Sequence, residues 1–478
     1  MSGPILRLFG LIVVLFALLL AWTTRWTVID SKALRNNGLN KRTLVDELKI
    51  KRGRILADDG TVLARSLAAP DHTWTRGYPT HDLFSQSVGY SIAVQGRDAG
   101  LERSRGEELR GLQTGLSSIF GQLSSRRVGD DVYTTLDPKA QRVAVGQLAA
   151  ASQLGAPMGS VVAIDPRSGA VKVMASLPSY DDNHPDAPGS TTYDRSTQSG
   201  YPPGSTFKVV TATAAIDSGK YTPGSTVNGN SPVTISGVLL RNDNNQSFGT
   251  IDLTTALTYS VNTVWSQVAE SVGRPTMTRY MQRFGFYAKP PLDLPPGELS
   301  ASHPVSSATG RPFEPGSRNE DIGRIGIGQG GLEVTPLQMA MVASALANGG
   351  KLMTPHLTSR VVDQDGRNVE TINPSVYAQV MKPSTAQQVG QMMTQVVKEG
   401  TGTAVALSGI TVAGKTGTAQ VGTAGSNLTQ PWFIAYAPVE RPRIAIAVTV
   451  ERTQGGFGGT VAAPIAKAVL QTLLAETR

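Results

Sequence analysis

The hydrophobic pattern begins with one apolar run near the amino terminus. Between Arg7 and Arg25 no residue is charged, so Leu8–Thr24 forms an uninterrupted apolar stretch. Its length is near the lower limit of about 17 residues for a helix that crosses a bilayer. Trp22 and Trp26 lie where interfacial aromatic residues are expected at the end of such a helix. Because no small-x-small cleavage site is evident after the run, it predicts an uncleaved membrane anchor rather than a cleaved signal peptide.

Beyond the anchor the pattern changes twice. Residues 28–137 are mostly polar with short strand-like pieces, which predicts a small or elongated domain. Farther on, Ser160–Asp165 and Ala170–Ser176 predict a β-hairpin closed by the turn "PRSG". Helical spacing of apolar residues follows in four segments, and strand-like runs in three: helices 207–219, 251–273, 335–350 and 463–477, strands 408–421, 431–438 and 443–452. Strands at both ends with helices between them predict an α/β or α+β domain with one sheet packed by helices.

Composition narrows the chemistry. The chain has 478 residues, enough for about two or three domains, and a net charge of +8. Its basic residues are scattered without interleaved aromatics, so an anionic membrane surface or wall polymer is at least as well supported a neighbour as nucleic acid. Cysteine is absent, which excludes disulfides and thiol nucleophiles. The five histidines are isolated, so neither a metal site nor a Ser-His-Asp triad is favoured, and serine chemistry would need another base.

Three short motifs follow one another along the chain, each with a hydroxyl, an amine or an amide. They are Ser205-x-x-Lys208, Ser260-x-Asn262 and Lys415-Thr416-Gly417. Because Pro-Pro-Gly precedes it, Ser205 is expected at or near a helix start, with Lys208 on the same face. Taken alone, that pair is better explained as a helix-capping serine followed by a surface lysine than as a nucleophile and its base. A second Ser-x-Asn, Ser317–Asn319, lies in a loop-like segment rich in Pro, Gly and Ser and is less favoured.

The order of the three motifs resembles that of the penicillin-recognising serine acyltransferases. From about Val132 to the carboxyl terminus the chain resembles the transpeptidase domain of class B penicillin-binding proteins. The resemblance extends over "VYTTLDPKAQ", "AIDPRSGAVKVMASLPSYDDN", "GIGQGGLEVTPLQMAMVASALANGG" and "VVKEGTGTAVALSGITVAGKTGTAQ". Upstream, "RGRILADDGTVLA" resembles another family stretch but has Ala57 and Asp58 where Asp and Arg are usual. The short upstream segment and single anchor most resemble actinobacterial members of the family.

This resemblance implies an architecture. Residues 138–478 would adopt the penicillin-binding transpeptidase or serine β-lactamase-like fold, an antiparallel sheet packed by helices. Residues 28–137 would form a small, elongated, non-catalytic pedestal domain. Residues 1–27 would form a cytoplasmic tip and the transmembrane signal anchor. The protein is therefore expected in the cell membrane, single-pass, with its catalytic domain outside the cytoplasm.

The resemblance also implies roles in acylation. Ser205 would be the nucleophile and Lys208 its general base. Burial and the nearby cation of Lys415 would lower the pKa of Lys208 far enough for that role. Ser260 would relay a proton to the leaving amine. Asn262 would orient Lys208 and hydrogen-bond the substrate amide.

Further roles concern substrate binding. The backbone N–H groups of Ser205 and Thr418 would form the oxyanion hole. Lys415, Thr416 and Thr418 would hold the free carboxylate of a D-Ala-D-Ala donor. Gly417 would let its strand come close to the substrate backbone.

The implied function is a peptidoglycan D,D-transpeptidase that forms a serine acyl-enzyme and is inhibited by β-lactams, without cofactor or metal. Its partners would be peptidoglycan stem peptides, β-lactam antibiotics, the membrane and a polytopic glycan polymerase of the shape/division family, but no nucleic acid. A D,D-carboxypeptidase would use the same motifs, and a non-catalytic division scaffold or β-lactam sensor is a further alternative. A class A β-lactamase is disfavoured because no Glu-x-x-Leu-Asn segment occurs. A bifunctional glycosyltransferase is disfavoured because the upstream segment is too short.

Overall fold

The computed structural model describes residues 2–25, 47–112, 128–151, 158–422 and 426–475. Its α-helices, numbered along the chain, are α1 Ser2–Thr24, α2 Ser85–Val88, α3 Gly100–Ser104, α4 Gly106–Leu109, α5 Pro138–Ala151, α6 Lys208–Asp217, α7 Leu253–Thr258, α8 Asn262–Val272, α9 Arg274–Arg283, α10 Ile322–Ile325, α11 Pro336–Ala347, α12 Pro383–Lys398 and α13 Ala463–Ala475.

The strands are numbered in the same way. They are β1 Ile55–Leu56, β2 Val62–Ala68, β3 Trp74–Gly77, β4 Ser91–Ile92, β5 Arg97–Asp98, β6 Asp131–Thr134, β7 Gly159–Ile164, β8 Val171–Leu177, β9 Thr226–Asn228, β10 Val233–Ile235, β11 Val238–Leu240, β12 Thr250–Asp252, β13 His303–Pro304, β14 Leu332–Glu333, β15 Lys351–Met353, β16 Thr358–Val362, β17 Asn368–Thr371, β18 Val376–Gln379, β19 Ala413–Gln420, β20 Leu428–Ala437, β21 Ile444–Val450 and β22 Thr453–Gln454.

Helix α1 is the candidate membrane span. It is exposed along its described side chains, and Gly3–Thr24 is long and apolar enough to cross a bilayer. The segment Gly458–Ala475 passes the same test of length and composition, but about half of it is buried within the protein, as in a core helix. The apolar run predicted from Leu8 is thus helical and begins at Ser2. Trp26, assigned above to the interface, lies outside the described residues.

The first six-stranded sheet has the order β17-β16-β6-β1-β2-β3. Strands β1 and β6 are parallel, and the other neighbours are antiparallel. Strands β16 and β17 come from much later in the chain than their neighbours. They join the sheet where Val361 pairs with Val132, and both side chains are buried. This sheet therefore unites the polar segment after the anchor with a hairpin from the larger part of the chain.

The second large sheet is antiparallel throughout, with the order β19-β20-β21-β7-β8 and β22 beside β20. The predicted hairpin is confirmed as β7 and β8, and the three later strand-like runs are confirmed as β19, β20 and β21. The predicted antiparallel sheet packed by helices is thus correct. Strand β19 lies at one edge, which places its motif residues at the border of the sheet.

Helices cover both faces of this sheet, which explains its continuous apolar runs. Alternate residues of β7 face opposite sides, so Val162 and Ile164 join one core cluster while Val161 and Ala163 join the other. Helix α11, buried along its whole length, packs on the first face against β7, β20 and β21. Helices α5 and α13 pack together on the second face. The sheet is consequently held rigid from both sides.

One predicted helix is wrong. Residues 251–273, expected as a single helix, form strand β12, helix α7 and helix α8, with a break between Thr258 and Asn262. Asp252 caps the start of α7, because the Thr255 N–H donates to Asp252 Oδ1 at 2.7 Å. At the break Ser260 has φ +60°, in the left-handed region that L-residues rarely adopt. The second motif therefore lies at a sharp junction between helices.

Candidate active site

Ser205 lies in one turn of 3₁₀-helix, Gly204–Phe207, which continues into α6 at Lys208. The predicted helix start is confirmed, although its first turn is the tighter kind. Gly204 has φ +53°, and a Cβ there would lie 2.9 Å from the carbonyl oxygen of Thr418. The turn and strand β19 are therefore in close contact. Ser205 is partly exposed, and its hydroxyl makes no hydrogen bond to another described residue.

Lys208, the first residue of α6, is completely buried. Its Nζ donates to Ser260 O at 2.6 Å, Asn262 Oδ1 at 2.6 Å and Ser260 Oγ at 3.2 Å. Three acceptors match the three hydrogens of an ammonium group. No hydrogen bond joins Lys208 to Ser205, although the two are neighbours on one helical turn. The lysine instead connects the first motif to the second.

Ser260 is the meeting point of the motifs. Its Oγ accepts from Lys208 Nζ at 3.2 Å and from Lys415 Nζ at 3.0 Å. The left-handed backbone of this residue carries strain that surrounding contacts must offset. The break between α7 and α8 thus turns one hydroxyl and one carbonyl toward two lysines that are distant in sequence.

Asn262 begins α8 on the other side of this break. Its Oδ1 accepts from Lys208, while its Nδ2 donates to the Arg241 carbonyl and to Asp243 Oδ1, both at 3.3 Å. Since acceptors flank Nδ2 and a donor faces Oδ1, the orientation of the amide is fixed by its partners. Asn262 is therefore held between the buried lysine and the loop that carries Asp243.

Lys415 projects from edge strand β19 and is also completely buried. Besides Ser260, its Nζ donates to the Thr416 carbonyl at 3.0 Å and contacts Thr416 Oγ1 at 3.4 Å. The Thr416 hydroxyl shares a 2.6 Å hydrogen bond with the hydroxyl of Thr401. The Thr418 hydroxyl accepts from the N–H of Gly458 at 3.2 Å. The third motif thus reaches the second through Lys415.

Gly417 has a reason for being glycine that the sequence did not indicate. A Cβ at this position would lie 2.7 Å from the Pro203 carbonyl oxygen and 2.9 Å from Thr206 Cγ2. Both belong to the chain around the Ser205 turn. Apart from any role in letting a substrate come close, glycine at this position is needed for strand β19 to pack against the turn that carries Ser205.

The three predicted motifs therefore come together, whereas the second Ser-x-Asn does not join them. The Ser317 hydroxyl accepts from the backbone N–H of Asn319 at 3.3 Å, a local contact within a turn. The family model described as "Penicillin binding protein transpeptidase domain" matches residues 159–471, more than half of the chain. This chain belongs to the penicillin-binding protein transpeptidase family. A second model, "Penicillin binding protein A dimerisation domain", matches residues 52–131.

Individual penicillin-binding proteins are similar to this one over nearly their whole length. Peptidoglycan D,D-transpeptidase PbpA of Mycolicibacterium smegmatis is 32% identical, with 100% of each chain covered. PbpA of Mycobacterium tuberculosis is 30% identical, with 99% of each covered. The structure of penicillin-binding protein A from M. tuberculosis as a ceftriaxone acyl-enzyme superimposes with a TM-score of 0.79 at 28% identity, covering 90% of this chain and all of that one.

Electrostatics set the two lysines of this penicillin-binding protein apart from ordinary ones. Burial lowers the pKa of Lys208 to about 7, and the negative charge of Asp243 opposes that change. Burial lowers the pKa of Lys415 well below its usual value, the positive charge of Lys208 lowers it further, and Asp243 again opposes. Two buried amines that share one hydroxyl cannot both hold a proton easily. The site can therefore exchange a proton near neutral pH.

Several residues of this penicillin-binding protein's site were not found from the motifs. Asp243 and Arg241 belong to an irregular loop, and Thr401 and Gly458 precede and follow β19 in the chain. Their only sequence signal was local glycine content around residues 400–402 and 455–459. Gly458 fits that signal, because a Cβ there would lie 2.5 Å from the Gly417 carbonyl oxygen. Asp243 had no signal, since its importance depends on a contact across the fold.

Proposed function

We propose that this protein is a peptidoglycan D,D-transpeptidase that acylates Ser205 with a D-Ala-D-Ala donor and passes the acyl group to an amine of a neighbouring stem peptide. The observation that carries the proposal is Ser260 Oγ, which accepts hydrogen bonds from both Lys208 and Lys415. Full-length similarity to proteins named peptidoglycan D,D-transpeptidase PbpA supports the same activity. β-Lactams are expected to acylate the same serine.

In the acylation step, Ser205 Oγ attacks the carbonyl carbon of the penultimate D-Ala while its proton passes to the neutral amine of Lys208. When Lys208 is neutral, its two short hydrogen bonds, to Ser260 O and Asn262 Oδ1, use both of its hydrogens. The lone pair is then available to accept the serine proton. A C–O bond forms, and the carbonyl oxygen of the donor takes up a negative charge.

Backbone N–H groups stabilise that charge in this proposal. Strand β19 is an edge strand, and the edge of a sheet leaves alternate N–H groups unpaired. We assign the oxyanion hole to the N–H of Thr418 on this strand and the N–H of Ser205 on the adjacent turn. The close contact of Gly204 with Thr418 keeps the two segments together. Preorganised donors of this kind are worth roughly a hundred- to a thousand-fold in rate.

Collapse of the tetrahedral intermediate breaks the C–N bond of the donor. The departing amine of D-Ala takes a proton from Ser260, which is resupplied by the ammonium of Lys208. An ester on Ser205 remains. The acceptor amine then attacks this ester and gives its proton to Lys208, while Ser205 Oγ leaves and regains a hydrogen. The product is an amide between two stem peptides, and the enzyme returns to its starting state.

The donor carboxylate is assigned to the third motif. Lys415 supplies a positive charge, and the hydroxyls of Thr416 and Thr418 supply hydrogen bonds from the same edge strand. The hydrogen bond between Thr401 and Thr416 orients one of these hydroxyls. In this assignment Lys415 is charged when it binds the donor carboxylate, whereas Lys208 is neutral when it accepts the proton of Ser205.

The anchor and partners complete the proposal. Helix α1 would hold the protein in the membrane by a single pass, with everything after Thr24 outside the cytoplasm. Residues 1–27 would form the tip and anchor, 28–137 the pedestal and 138–478 the transpeptidase domain. A polytopic glycan polymerase of the shape/division family would supply the strands to be cross-linked. A reporter fused after Arg478 that is active in the cytoplasm would contradict this topology.

The test of the reaction uses a synthetic stem pentapeptide ending in D-Ala-D-Ala, a stem peptide with a free amine as acceptor, and mass spectrometry of the products. Wild-type protein should release D-Ala and form the linked peptide. Hydrolysis without linkage would instead indicate a carboxypeptidase.

Ser205→Ala identifies the nucleophile. It should abolish D-Ala release and the covalent penicillin adduct, yet remain folded, since the Ser205 hydroxyl makes no hydrogen bond to another described residue. Ser317→Ala is the matched control and should label like wild type. If Ser205→Ala still gains the adduct mass, the nucleophile is another residue.

A further inference from the structure

Asp243 lies on an exposed loop beside the lysine pair. It begins the 3₁₀ turn Asp243–Asn245, in which Asn244 and Asn245 have φ of +54° and +55°. Its Oδ1 accepts from Asn262 Nδ2 at 3.3 Å, and Asn262 Oδ1 accepts from Lys208 Nζ at 2.6 Å. A single amide side chain therefore separates an exposed carboxylate from a completely buried amine.

Charges around the two lysines are unevenly distributed. The hydrogen-bond partners of Lys208 and Lys415 are neutral oxygens of Ser260, Asn262 and Thr416. Across the part of the chain that the structure describes, neither lysine forms an ion pair, and Asp243 is the carboxylate whose field acts on both. Lys415 is also affected by the positive charge of Lys208. Asp243 is thus the negative charge that balances the lysine pair, and the side chain of Asn262 separates it from Lys208.

We propose that Asp243 is a positioning residue for acylation, which orients the Asn262 amide toward Lys208 and places a negative charge just outside the buried lysine pair. This inference rests on the proposed function. A negative charge favours protonated amines, so Asp243 limits the lowering of the lysine pKa values that burial causes. As a result, Lys415 is more often protonated and able to bind the donor carboxylate. The neutral form of Lys208, which acts as the base, is less populated below neutral pH.

Asp243→Asn separates charge from shape. The amide keeps an acceptor oxygen for Asn262 but removes the negative charge. Without that charge both lysines lose protons more readily, so the acidic limb of acylation should move to lower pH. Below neutral pH the acylation rate, relative to its plateau, should rise about three- to ten-fold. The apparent affinity for a donor peptide with a free carboxylate should fall, because Lys415 is charged over less of the pH range.

The measurement is the second-order rate of acylation of the full-length protein by a fluorescent penicillin, taken across pH for each variant. Asn244→Gly is the matched control, because it alters the same turn without changing charge, and glycine readily adopts the left-handed φ found there. Asp243→Glu restores the charge and should move the limb back toward wild type. Since Asp243 is exposed, added salt should shrink the difference between wild type and Asp243→Asn.

The outcomes separate cleanly. An acidic limb that stays in place in Asp243→Asn, or moves to higher pH, overturns the proposal, as does an equal displacement in Asn244→Gly. If Asp243→Asn fails to fold, the wild-type limb still decides, because salt should move it to lower pH as it screens Asp243, and a salt-independent limb refutes the idea. Normal labelling of all variants with identical pH profiles removes only the role of Asp243. Absence of labelling in wild type would instead remove the proposed function.

Discussion

Replacing Gly417 by alanine adds one methyl group between the third motif and the Ser205 turn. The new Cβ would lie 2.7 Å from the Pro203 carbonyl oxygen and 2.9 Å from Thr206 Cγ2, where ordinary contacts begin near 3.4 Å. Thr206 cannot easily turn away, because it is buried and its hydroxyl donates to that same Pro203 carbonyl at 2.8 Å. The turn must therefore retreat by roughly 0.7 Å, taking Ser205 with it.

Two quantities follow from this displacement. Overpacking of this kind costs about 1–3 kcal/mol of stability. Misplacing a reacting group by 1 Å can cost about a hundred-fold in rate, so we expect Gly417→Ala to slow penicillin acylation by about ten- to a hundred-fold. Acylation is measured by stopped-flow fluorescence, and the free energy of unfolding by urea titration followed by circular dichroism.

Gly414→Ala, three residues earlier on β19, is the matched control. Its Cβ would meet the ring of Phe433 at 2.7 Å on the opposite face of the strand, away from Ser205. It should lose similar stability while its acylation rate stays within about two-fold of wild type, since the nucleophile does not move. Equal acylation rates in the two variants would refute the argument that Gly417 positions the Ser205 turn.

Three further predictions concern other parts of the molecule. Because the pKa of Lys208 is lowered to about 7 and the neutral amine is the base, acylation should rise with pH through neutrality and fall about ten-fold per unit well below it, whereas a flat rate profile would contradict this role. Gly146 is exposed in α5 with open space around it, so Gly146→Ala should raise the free energy of unfolding by about 0.5–1 kcal/mol in urea titration. A lower free energy of unfolding would contradict this prediction. Asp217→Asn should lower the free energy of unfolding by about 1–3 kcal/mol at neutral pH. Burial raises the pKa of Asp217, but hydrogen bonds from Tyr280, Thr385 and a backbone N–H lower it more, so the pKa is lowered overall. The stabilisation by the Asp217 carboxylate should therefore disappear when acid protonates it. At such a pH the thermal melts of wild type and variant should coincide.

The large antiparallel sheet could be predicted from sequence because its signals are local. Strands β7 and β8 are apolar runs around a short turn, and their predicted bounds lie within two residues of the observed ones. Helices on both faces make such runs continuous rather than alternating. The motif serines and lysines were selected because their order resembles that of the penicillin-recognising serine acyltransferases, and Lys208, Ser260 and Lys415 do meet in the structure.

The break at Ser260 could not be predicted in the same way. Apolar spacing continues through 251–273, and no proline or glycine interrupts it before Gly273. The left-handed φ of Ser260 is held by contacts with Lys208 and Lys415, which lie far away in sequence. Tertiary contacts overrode the local helical preference, as they commonly do at functional sites.

The same reason hides Asp243 and the role of Gly417. Asp243 is an ordinary loop residue until Asn262 is brought beside it. Gly417 is the glycine of a known motif, but its packing against Pro203 depends on how strand and turn meet. The motifs predicted which side chains would come together. The roles of Asp243 and of the packing at Gly417 could be recognised only from distances in the folded structure.

The hairpin of β16 and β17 in the first sheet has a consequence for the order in which the chain can fold. Strand β6 is synthesised early, yet one of its edges has no partner until Val361 follows, long after Val132 has been made. Contacts so distant in sequence form slowly. An unpaired edge in the meantime invites pairing with other chains. A nascent or truncated protein that ends before β16 would therefore be prone to aggregate at β6. A chaperone that covers this strand edge would give the most protection.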